Sequence, residues 1–291
     1  MAGPSLPRRL RALAVIPVYG HPEMTHDLVA DLGRERAVCD VVVVDNKGDY
    51  RPAGTETVLR PGRNLGWAGG VNHGSREAGA GYGHLMWLNN DTRLSPGFVR
   101  GLLEAAVVTG AGVTSPFYDC HWIHQRDLSA AVGSYTATRK HYRAPFVDGT
   151  CMLVSRRAVR RIGLLDDETF APLGWGAEID YCLRARDAGL PVVATRQAFL
   201  RHLRAVTALD VFAGRFEQYT DEAYPRSLEG LERKWGPDWM RTAGIDPATF
   251  QTGPLPESER IYAVPVPGWP AARRVIRRVV RGSGRRSGAG G

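Results

Sequence analysis

The sequence has 291 residues, of which 43% are hydrophobic and 23% are charged. This composition is typical of a globular protein and excludes a collagen-like, coiled-coil or wholly disordered chain. No run approaches the roughly 18 apolar residues of a membrane-spanning helix, and residues 1–11 lack the apolar core of a secretory signal. The four cysteines are far apart and form no Cys-x-x-Cys pair, which favours reduced thiols in a cytoplasmic protein.

The net charge of +8 is concentrated at residues 271–291, which contain seven arginines and no acidic residue. Without those seven charges the rest of the chain carries about +1. Apolar pairs alternate with the arginines, so this segment is either a basic amphipathic helix on an anionic membrane or a solvated flexible tail. No nucleic-acid-binding motif accompanies the charge, and we expect no nucleic acid partner.

Apolar runs typical of strands alternate with helical patterns from residue 10 onward. Strands are predicted at residues 10–16, 41–44, 56–60, 84–88 and 147–155. Helices are predicted at residues 25–36 with Thr25 as N-cap, after the glycine-rich turn 64–70, at 95–109 with Ser95 as N-cap, at 178–189 and at 212–239. Residues 117–145 are expected to form a long loop or lid, and residues 254–270 to cover the surface. The alternation predicts an α/β fold with a mostly parallel sheet flanked by helices and a C-terminal helical extension.

Polar side chains follow three of the predicted strands: Tyr19 the first, Asp45 the second, and Asn90 with Asp91 the fourth. Ligands of parallel sheets bind at the carboxyl ends of the strands, so these residues mark a candidate site. The run of Asn90, Asp91 and the preceding Asn89 allows two interpretations, a carboxylate that holds a divalent cation or an ordinary turn.

Residues 63–72 (RNLGWAGGVN) combine three glycines with Arg63 at the start of a predicted helix. Glycines permit close backbone approach and helix N-termini attract anions, so the stretch suits a phosphate or a sugar ring. The spacing matches neither the phosphate loop of nucleotide hydrolases nor a dinucleotide fingerprint. A tight strand-to-helix turn is the alternative.

Glu178 and Asp180 lie in the first turn of a predicted helix, where the helix dipole stabilises acidic residues. The glycines around Trp175 are not needed for capping, and they suit a loop that places an aromatic wall beside a general base. Two residues apart, the two carboxylates point to different faces of the helix.

Histidines supply a further candidate. His202 follows that helix by a strand and has arginines on both sides, so it is either a packed residue or a ligand of an anion or a metal-bound diphosphate. Cys120, His121 and His124 do not have the spacing of a zinc site, and we expect no zinc there.

Seven motifs in this order resemble inverting glycosyltransferases of family 2, whose fold for nucleotide-diphospho-sugars is called GT-A, and in particular the rhamnosyltransferase-like branch. The resemblance covers residues 13–207. The motifs are IPVY (16–19), VDN (44–46), NLGWAGGVN (64–72), LNNDT (88–92), DGTCML (148–153), IGLLD (162–166) and EIDYCLR (178–184).

The resemblance implies a role for each matching position. The donor nucleotide would be bound by Pro17, Tyr19, Asp45, Arg63, Asn64, Gly70 and Asn90. A Mn²⁺ or Mg²⁺ ion would be bound by Asp91 and His202, and the acceptor by Asp148, Trp175 and Trp122. Glu178 matches the catalytic base, with Asp180 as its rival, because this chain has Ala177-Glu178 where the family usually has Glu-Asp.

The implied reaction is a single displacement at the anomeric carbon of a nucleotide-diphosphate sugar, with UDP- or dTDP-sugars favoured. The acceptor is a hydroxyl of a saccharide, a lipid-linked saccharide or a small natural product. The alternatives are a sugar-nucleotide-binding protein without turnover and a nucleotidyltransferase. The substitution Glu178→Gln distinguishes an enzyme from a binding protein without turnover. A nucleotidyltransferase would need a basic glycine-rich loop after the first strand, but this chain has Val18-Tyr19-Gly20-His21 there.

The expected organisation is a GT-A domain at 10–215, with a nucleotide-binding half at about 10–115 and an acceptor and base half at about 116–215. A helical extension at 216–265 and the basic tail at 266–291 follow. The expected location is the cytoplasm, with peripheral contact to the inner face of the membrane as an option through the tail.

Overall fold

The computed structural model describes residues 6–171, 173–203 and 216–261. In its first half the elements are β1 (Ala12–Val18), α1 (Pro22–Gly33), β2 (Cys39–Asp45), β3 (Thr57–Leu59), α2 (Gly66–Ala78), β4 (His84–Leu88), β5 (Thr92–Leu94), α3 (Phe98–Thr109) and β6 (Val113–Tyr118). In its second half they are β7 (His141–Arg143), β8 (Cys151–Ser155), α4 (Arg156–Ile162), α5 (Ala177–Asp187), β9 (Val192–His202), α6 (Phe216–Trp235), α7 (Trp239–Thr242), β10 (Ile245–Asp246), β11 (Gln251–Thr252) and β12 (Arg260–Ile261).

Within the described part of the chain, ten strands form one sheet in the order β12-β7-β9-β6-β8-β4-β1-β2-β3, and β5 adds to β9. The pairings make β5, β7 and β8 run against the other seven strands. Helices flank the sheet, and the predicted α/β class with a mostly parallel sheet is confirmed.

The central strands are built from β-branched and small apolar residues because both of their faces are covered. Every residue of β1 is buried, and β1 pairs in parallel with β2 along its whole length. The strand continues through Pro17, where the sequence predicted its end. This is tolerated because β1 pairs with β4 only as far as Val15, and Pro17 lies beyond that ladder.

Two predicted helix starts are wrong. α1 begins at Pro22, so Thr25 lies inside the helix, where its buried hydroxyl accepts a hydrogen bond from Asn90 Nδ2 at 3.3 Å. α3 begins at Phe98 after Gly97, and Ser95 instead accepts a hydrogen bond from Phe199 N on β9 at 3.0 Å. Both hydroxyls serve contacts between distant segments, which local capping patterns do not reveal.

The predicted loop at 117–145 is largely irregular, with β7 near its end and the end of β6 at its start. It is anchored at several points: Arg196 pairs with Asp127 at 2.5 Å, and Ile123 N donates to Gln251 Oε1 at 3.1 Å. The C-terminal part is not purely helical, since β12 pairs with β7. These contacts join the loop to the sheet and to the C-terminal segment.

The four cysteines are buried and form no disulfide. None of the helices in the described ranges combines the length and the apolar character needed to cross a bilayer. The predicted start of the last long helix at 212–215 and the basic tail at 266–291 lie outside the described residues.

Candidate active site

The site is centred on Asp91 and His202, which come from segments 111 residues apart. β5 pairs antiparallel with the end of β9, with Thr92 opposite His202. This pairing places Asp91 Oδ1 3.1 Å from His202 Nε2, and Leu203 N donates to the backbone oxygen of Asp91 at 2.8 Å. The two residues predicted to bind a metal are therefore adjacent.

A second layer of polar groups contacts this pair from β8 and the loop after β6. Thr150 Oγ1 lies 3.4 Å from His202 Nδ1, and it donates to Asp148 Oδ1 at 2.8 Å. Asp119 Oδ1 accepts a hydrogen bond from His202 N at 3.0 Å. Asp148 is itself positioned by Gln125, whose side-chain oxygen accepts from Asp148 N at 3.1 Å.

Glu178 lies half-buried in the first turn of α5, beside the loop that carries Asp148. A side chain at Gly149 would lie 3.3 Å from Glu178 Cβ and 3.2 Å from the Trp67 ring, so glycine leaves room for both. Burial, and then the nearby carboxylate of Asp148, raises the pKa of Glu178 to about 8. A raised pKa in a cleft is typical of groups that transfer protons.

The carboxylate of Asp180, the other residue predicted to be catalytic, contacts a different set of side chains. Its fully buried carboxylate accepts from Arg184 Nε at 2.8 Å and from Trp235 Nε1 at 3.1 Å, and it lies 2.8 Å from Lys234 Nζ. These partners tie α5 to α6. Of the two acidic residues in this turn, Glu178 is the one near Asp148.

The predicted nucleotide side lies at the ends of β1 and β2. Asp45 is fully buried, and its carboxylate accepts from Gly48 N at 2.7 Å and Tyr50 N at 3.0 Å, so it holds the loop after β2. A side chain at Gly70 would lie 3.0 Å from Pro17, which shows how closely α2 packs against the end of β1.

The other predicted nucleotide ligands differ in exposure. Tyr19 is half-buried just after β1, whereas Arg63 and Asn64 are exposed in the turn before α2. Asn64 Oδ1 accepts from the N–H of Gly66 at 2.9 Å and so organises that turn. Asn90 is buried against α1.

The two predicted acceptor tryptophans have different surroundings. Trp175 is half-buried and makes an edge contact with Tyr224 of α6, with ring centroids 4.7 Å apart. Trp122 is only 7% exposed and packs against Phe146 and Phe250. The contact of Tyr224 with Trp175 could not be predicted from the sequence, because nothing local connects α6 with the loop of Trp175.

Histidine 124 is buried inside the loop after β6, with Thr252 Oγ1 and the backbone oxygen of Phe146 both 2.9 Å from its ring nitrogens. Burial lowers its pKa to about 4. Both of its ring nitrogens are thus occupied by contacts within the fold.

No group of three or more acidic, histidine or cysteine side chains that could hold a metal occurs in the described ranges. Asp91 and His202 are nevertheless the oxygen and nitrogen ligands that suit Mn²⁺, and Mg²⁺ and similar ions usually complete their shell with water and substrate phosphates. A two-residue site that substrate completes fits this arrangement.

Comparison with known proteins adds three findings. Residues 14–163 match the family model described as Glycosyl transferase family 2. The chain is 41% identical over 235 residues to the uncharacterized proteins Mb1552 of Mycobacterium bovis and Rv1525 of Mycobacterium tuberculosis, covering 80% of this chain and 88% of each relative.

Among solved structures, the fold is similar to GalNAc-T7 crystallised with UDP, GalNAc and Mn²⁺, with a TM-score of 0.51 and 13% identity. The match covers 79% of this chain and 52% of that one, so the chain spans about half the length of that protein. At this identity the likeness shows a shared fold of the GT-A type.

Proposed function

The chain belongs to glycosyl transferase family 2, and from that premise we propose that it is a metal-dependent, inverting glycosyltransferase of the hexosyltransferase type. The observation that carries the proposal is that the Asp91–His202 pair and the Asp148–Glu178 pair lie together at the carboxyl ends of β4 and β9. A pair of side chains suited to a cation, beside a half-buried carboxylate with a raised pKa, suits transfer from a diphosphate donor to a hydroxyl group.

The donor is a nucleotide-diphosphate sugar, with UDP- or dTDP-sugars favoured. The base and ribose would lie along the ends of β1 and β2, with Tyr19 beside the base and Asp45 holding the loop that shapes its pocket. Arg63 is exposed at the turn before α2, where it could meet the phosphates. The motif series supports the rhamnosyltransferase-like branch, and UDP in the structurally similar protein is consistent with such a donor.

A bound Mn²⁺ or Mg²⁺ would be held by Asp91 and His202 and would neutralise charge on the departing diphosphate. Mn²⁺ in the structurally similar GalNAc-T7 supports this choice of cation. Arg63 adds a positive charge from the protein on the donor side.

Glu178 acts as general base. As the acceptor oxygen forms its bond to the anomeric carbon, the bond from that carbon to the diphosphate oxygen breaks, and the acceptor proton passes to the Glu178 carboxylate. The attack comes from the side opposite the leaving group, so the configuration inverts. A carboxylate with a pKa of about 8 is a stronger base than an ordinary glutamate, although less of it is ionised at neutral pH.

The acceptor would lie between Asp148 and the aromatic pair of Trp175 and Tyr224. Tyr224 is 42% exposed, which is high for an aromatic side chain in contact with another ring. An exposed aromatic face beside a general base suits the apolar face of a sugar ring. A saccharide, a lipid-linked saccharide or a glycosylated small natural product would supply one.

The proposal is tested by thermal shift with UDP, dTDP, GDP or CDP, each combined with Mn²⁺, Mg²⁺ or EDTA. A ligand at about 100 times its Kd stabilises a folded protein by about 2.7 kcal/mol, so a rise in Tm with one nucleotide that EDTA abolishes is expected. Transfer from the matching sugar nucleotide to simple glycosides is then followed by release of the nucleoside diphosphate.

Other outcomes contradict the proposal in distinct ways. Binding without any nucleotide release would indicate a sugar-nucleotide-binding protein. Release of pyrophosphate in place of a nucleoside diphosphate would indicate a nucleotidyltransferase. No shift with any nucleotide would leave the assignments of Asp91 and Glu178 without support.

A further inference from the structure

Thr150 lies between Asp148 and His202, and we propose that it is a positioning residue that orients the His202 ring toward a divalent cation. This inference rests on the cation of the proposed function. Thr150 stands directly before β8 and is only 4% exposed. Its hydroxyl contacts both the Asp148 carboxylate and the His202 ring.

The hydroxyl proton of Thr150 is committed to Asp148. Both the N–H and the Oγ1 hydroxyl of Thr150 donate to the same carboxylate oxygen, Asp148 Oδ1, at 2.8 Å each. A carboxylate only accepts hydrogen bonds, and a threonine hydroxyl has one proton. Thr150 Oγ1 can therefore offer only lone pairs to its other neighbours.

One such neighbour is His202 Nδ1, 3.4 Å from Thr150 Oγ1, and the buried hydroxyl of Tyr118 is another. The contact is favourable when Nδ1 carries a proton, and in a neutral imidazole this leaves the lone pair on Nε2. Nε2 is the atom that lies 3.1 Å from Asp91 Oδ1. In the structure the two atoms are in hydrogen-bond contact, and a cation bound by both would take the place of the proton between them. Outer partners commonly fix metal-binding histidines in this manner.

The backbone at His202 is fixed separately. His202 N donates to Asp119 Oδ1 at 3.0 Å, and the next residue, Leu203, donates to the backbone oxygen of Asp91 at 2.8 Å. The position of the ring therefore depends on contacts of the side chain itself. The Thr150 hydroxyl is well placed to set the ring orientation without being a ligand.

The test compares Thr150→Val, which removes the hydroxyl at nearly constant shape, with Thr150→Ser, which keeps it. Thr109→Val is the matched control, because its hydroxyl donates only within α3, to the Ala105 backbone oxygen at 2.7 Å. Mn²⁺ is titrated into the full chain with and without UDP, and free Mn²⁺ is measured by electron paramagnetic resonance. Loss of an outer partner typically weakens metal affinity about 10- to 100-fold.

We expect Thr150→Val to weaken Mn²⁺ binding by about 10- to 100-fold, while Thr150→Ser and Thr109→Val stay within about threefold of the unmodified protein. Pulsed resonance of bound Mn²⁺ adds a signature of ligation, the modulation from a histidine ¹⁴N nucleus. That modulation is expected in the unmodified protein and in Thr150→Ser, and it should weaken in Thr150→Val. Circular dichroism and Tm in EDTA check that each variant is folded.

Unchanged affinity and unchanged ¹⁴N modulation in a folded Thr150→Val protein would overturn the positioning role and leave the proposed function intact. Mn²⁺ binding without ¹⁴N modulation in the unmodified protein would overturn His202 as a ligand, and Thr150 with it. If the unmodified protein transfers sugar but binds no Mn²⁺ with UDP, the metal dependence of the proposed function fails as well.

Discussion

Two regions of the protein hold carboxylates that are buried or half-buried, and their surroundings differ. Around α1 and β2, Asp31, Glu35 and Asp45 each accept hydrogen bonds from backbone N–H groups of neighbouring segments. Near the start of β8, the carboxylate of Glu178 instead lies close enough to that of Asp148 for their charges to repel. Carboxylates that accept hydrogen bonds from N–H groups stabilise the fold, whereas carboxylates that repel each other are typical of functional sites.

The same difference separates the two acidic residues in the first turn of α5. Asp180 has a guanidinium, an ammonium and an indole N–H as partners, whereas burial and a nearby carboxylate disfavour the charge on Glu178. If the comparison is sound, removing the charge of Glu178 costs function and removing that of Asp180 costs stability.

The largest effect is expected for Glu178→Gln. Loss of a general base typically lowers the rate by about 10²- to 10⁴-fold, and nucleotide binding should remain, because the amide occupies the same space. The free energy of unfolding at pH 8 should equal or exceed that of the unmodified protein, since a disfavoured charge is gone. Transfer rate, nucleotide-induced Tm shift and urea unfolding are measured together.

Glu168→Gln is the control for that experiment, since Glu168 is exposed in the turn before α5. It should leave all three quantities unchanged. Undiminished transfer by Glu178→Gln would remove Glu178 from the reaction.

Asp180→Ala should give the reverse result, a loss of stability. Breaking a buried ion pair from one side costs about 3–5 kcal/mol. The side chains of Arg184 and Lys234 keep 22% and 26% of their exposure, so water compensates in part and we expect about 2–3 kcal/mol. Asp187→Ala, at the exposed end of the same helix, should cost little. A stable Asp180→Ala protein without transfer would instead return Asp180 to the role of base.

The pH dependence should show the repulsion between Asp148 and Glu178. The pKa of Glu178 is raised from 4.5 to about 8 by burial and then by Asp148, so kcat/KM should rise with pH well above the range of an ordinary carboxylate. Asp148→Asn removes one cause and should move the midpoint to lower pH. A midpoint that does not move would show that the two carboxylates are not coupled.

The same shift has a consequence for stability without metal. Because the folded protein holds the Glu178 proton more tightly than the unfolded chain, the contribution of Glu178 to the free energy of unfolding is greatest below pH 4.5 and falls as pH rises to about 8. Glu178→Gln should remove this slope, which urea unfolding in EDTA at several pH values measures.

Local patterns were enough for much of the sheet. The strand at His84–Leu88 was predicted at its observed bounds, because a short continuous apolar run followed by polar residues leaves little ambiguity. The helix starts at Thr25 and Ser95 were wrong, since both hydroxyls bond to distant segments. A capping pattern in the sequence cannot distinguish these uses.

For the site, the family resemblance implied that Asp91 and His202 bind one metal ion, and the structure places the two side chains in contact. The bridging position of Thr150 and the aromatic contact of Tyr224 could not be predicted, because each depends on how β8, β9 and α6 pack. The burial of Trp122 could not be predicted either, because it depends on the packing of Phe146 and Phe250 around an aromatic residue in a polar loop.

The smallest effect concerns the other buried glutamate, Glu35. Its two carboxylate oxygens accept from Val99 N at 2.9 Å and Arg100 N at 3.0 Å, at the start of α3. Glu35→Gln keeps one acceptor and places an amide N–H against the second donor, so about one hydrogen bond is lost. Burial raises the pKa of Glu35, so the loss of the charge offsets part of that cost, and we expect about 1 kcal/mol from the unfolding midpoint in urea.

Glu77→Gln, on the exposed side of α2, is the control for this substitution and should be neutral. The replacement at Glu35 is the one made at Glu178, so the two variants compare the same chemical change in the two regions. A stabilising effect at Glu35, or a destabilising one at Glu178, would mean that the surroundings of a buried carboxylate do not separate structural from reactive acids in this fold. A lower free energy of unfolding in Glu35→Gln, together with full transfer activity, would show that the Glu35 carboxylate and its N–H partners have a structural role.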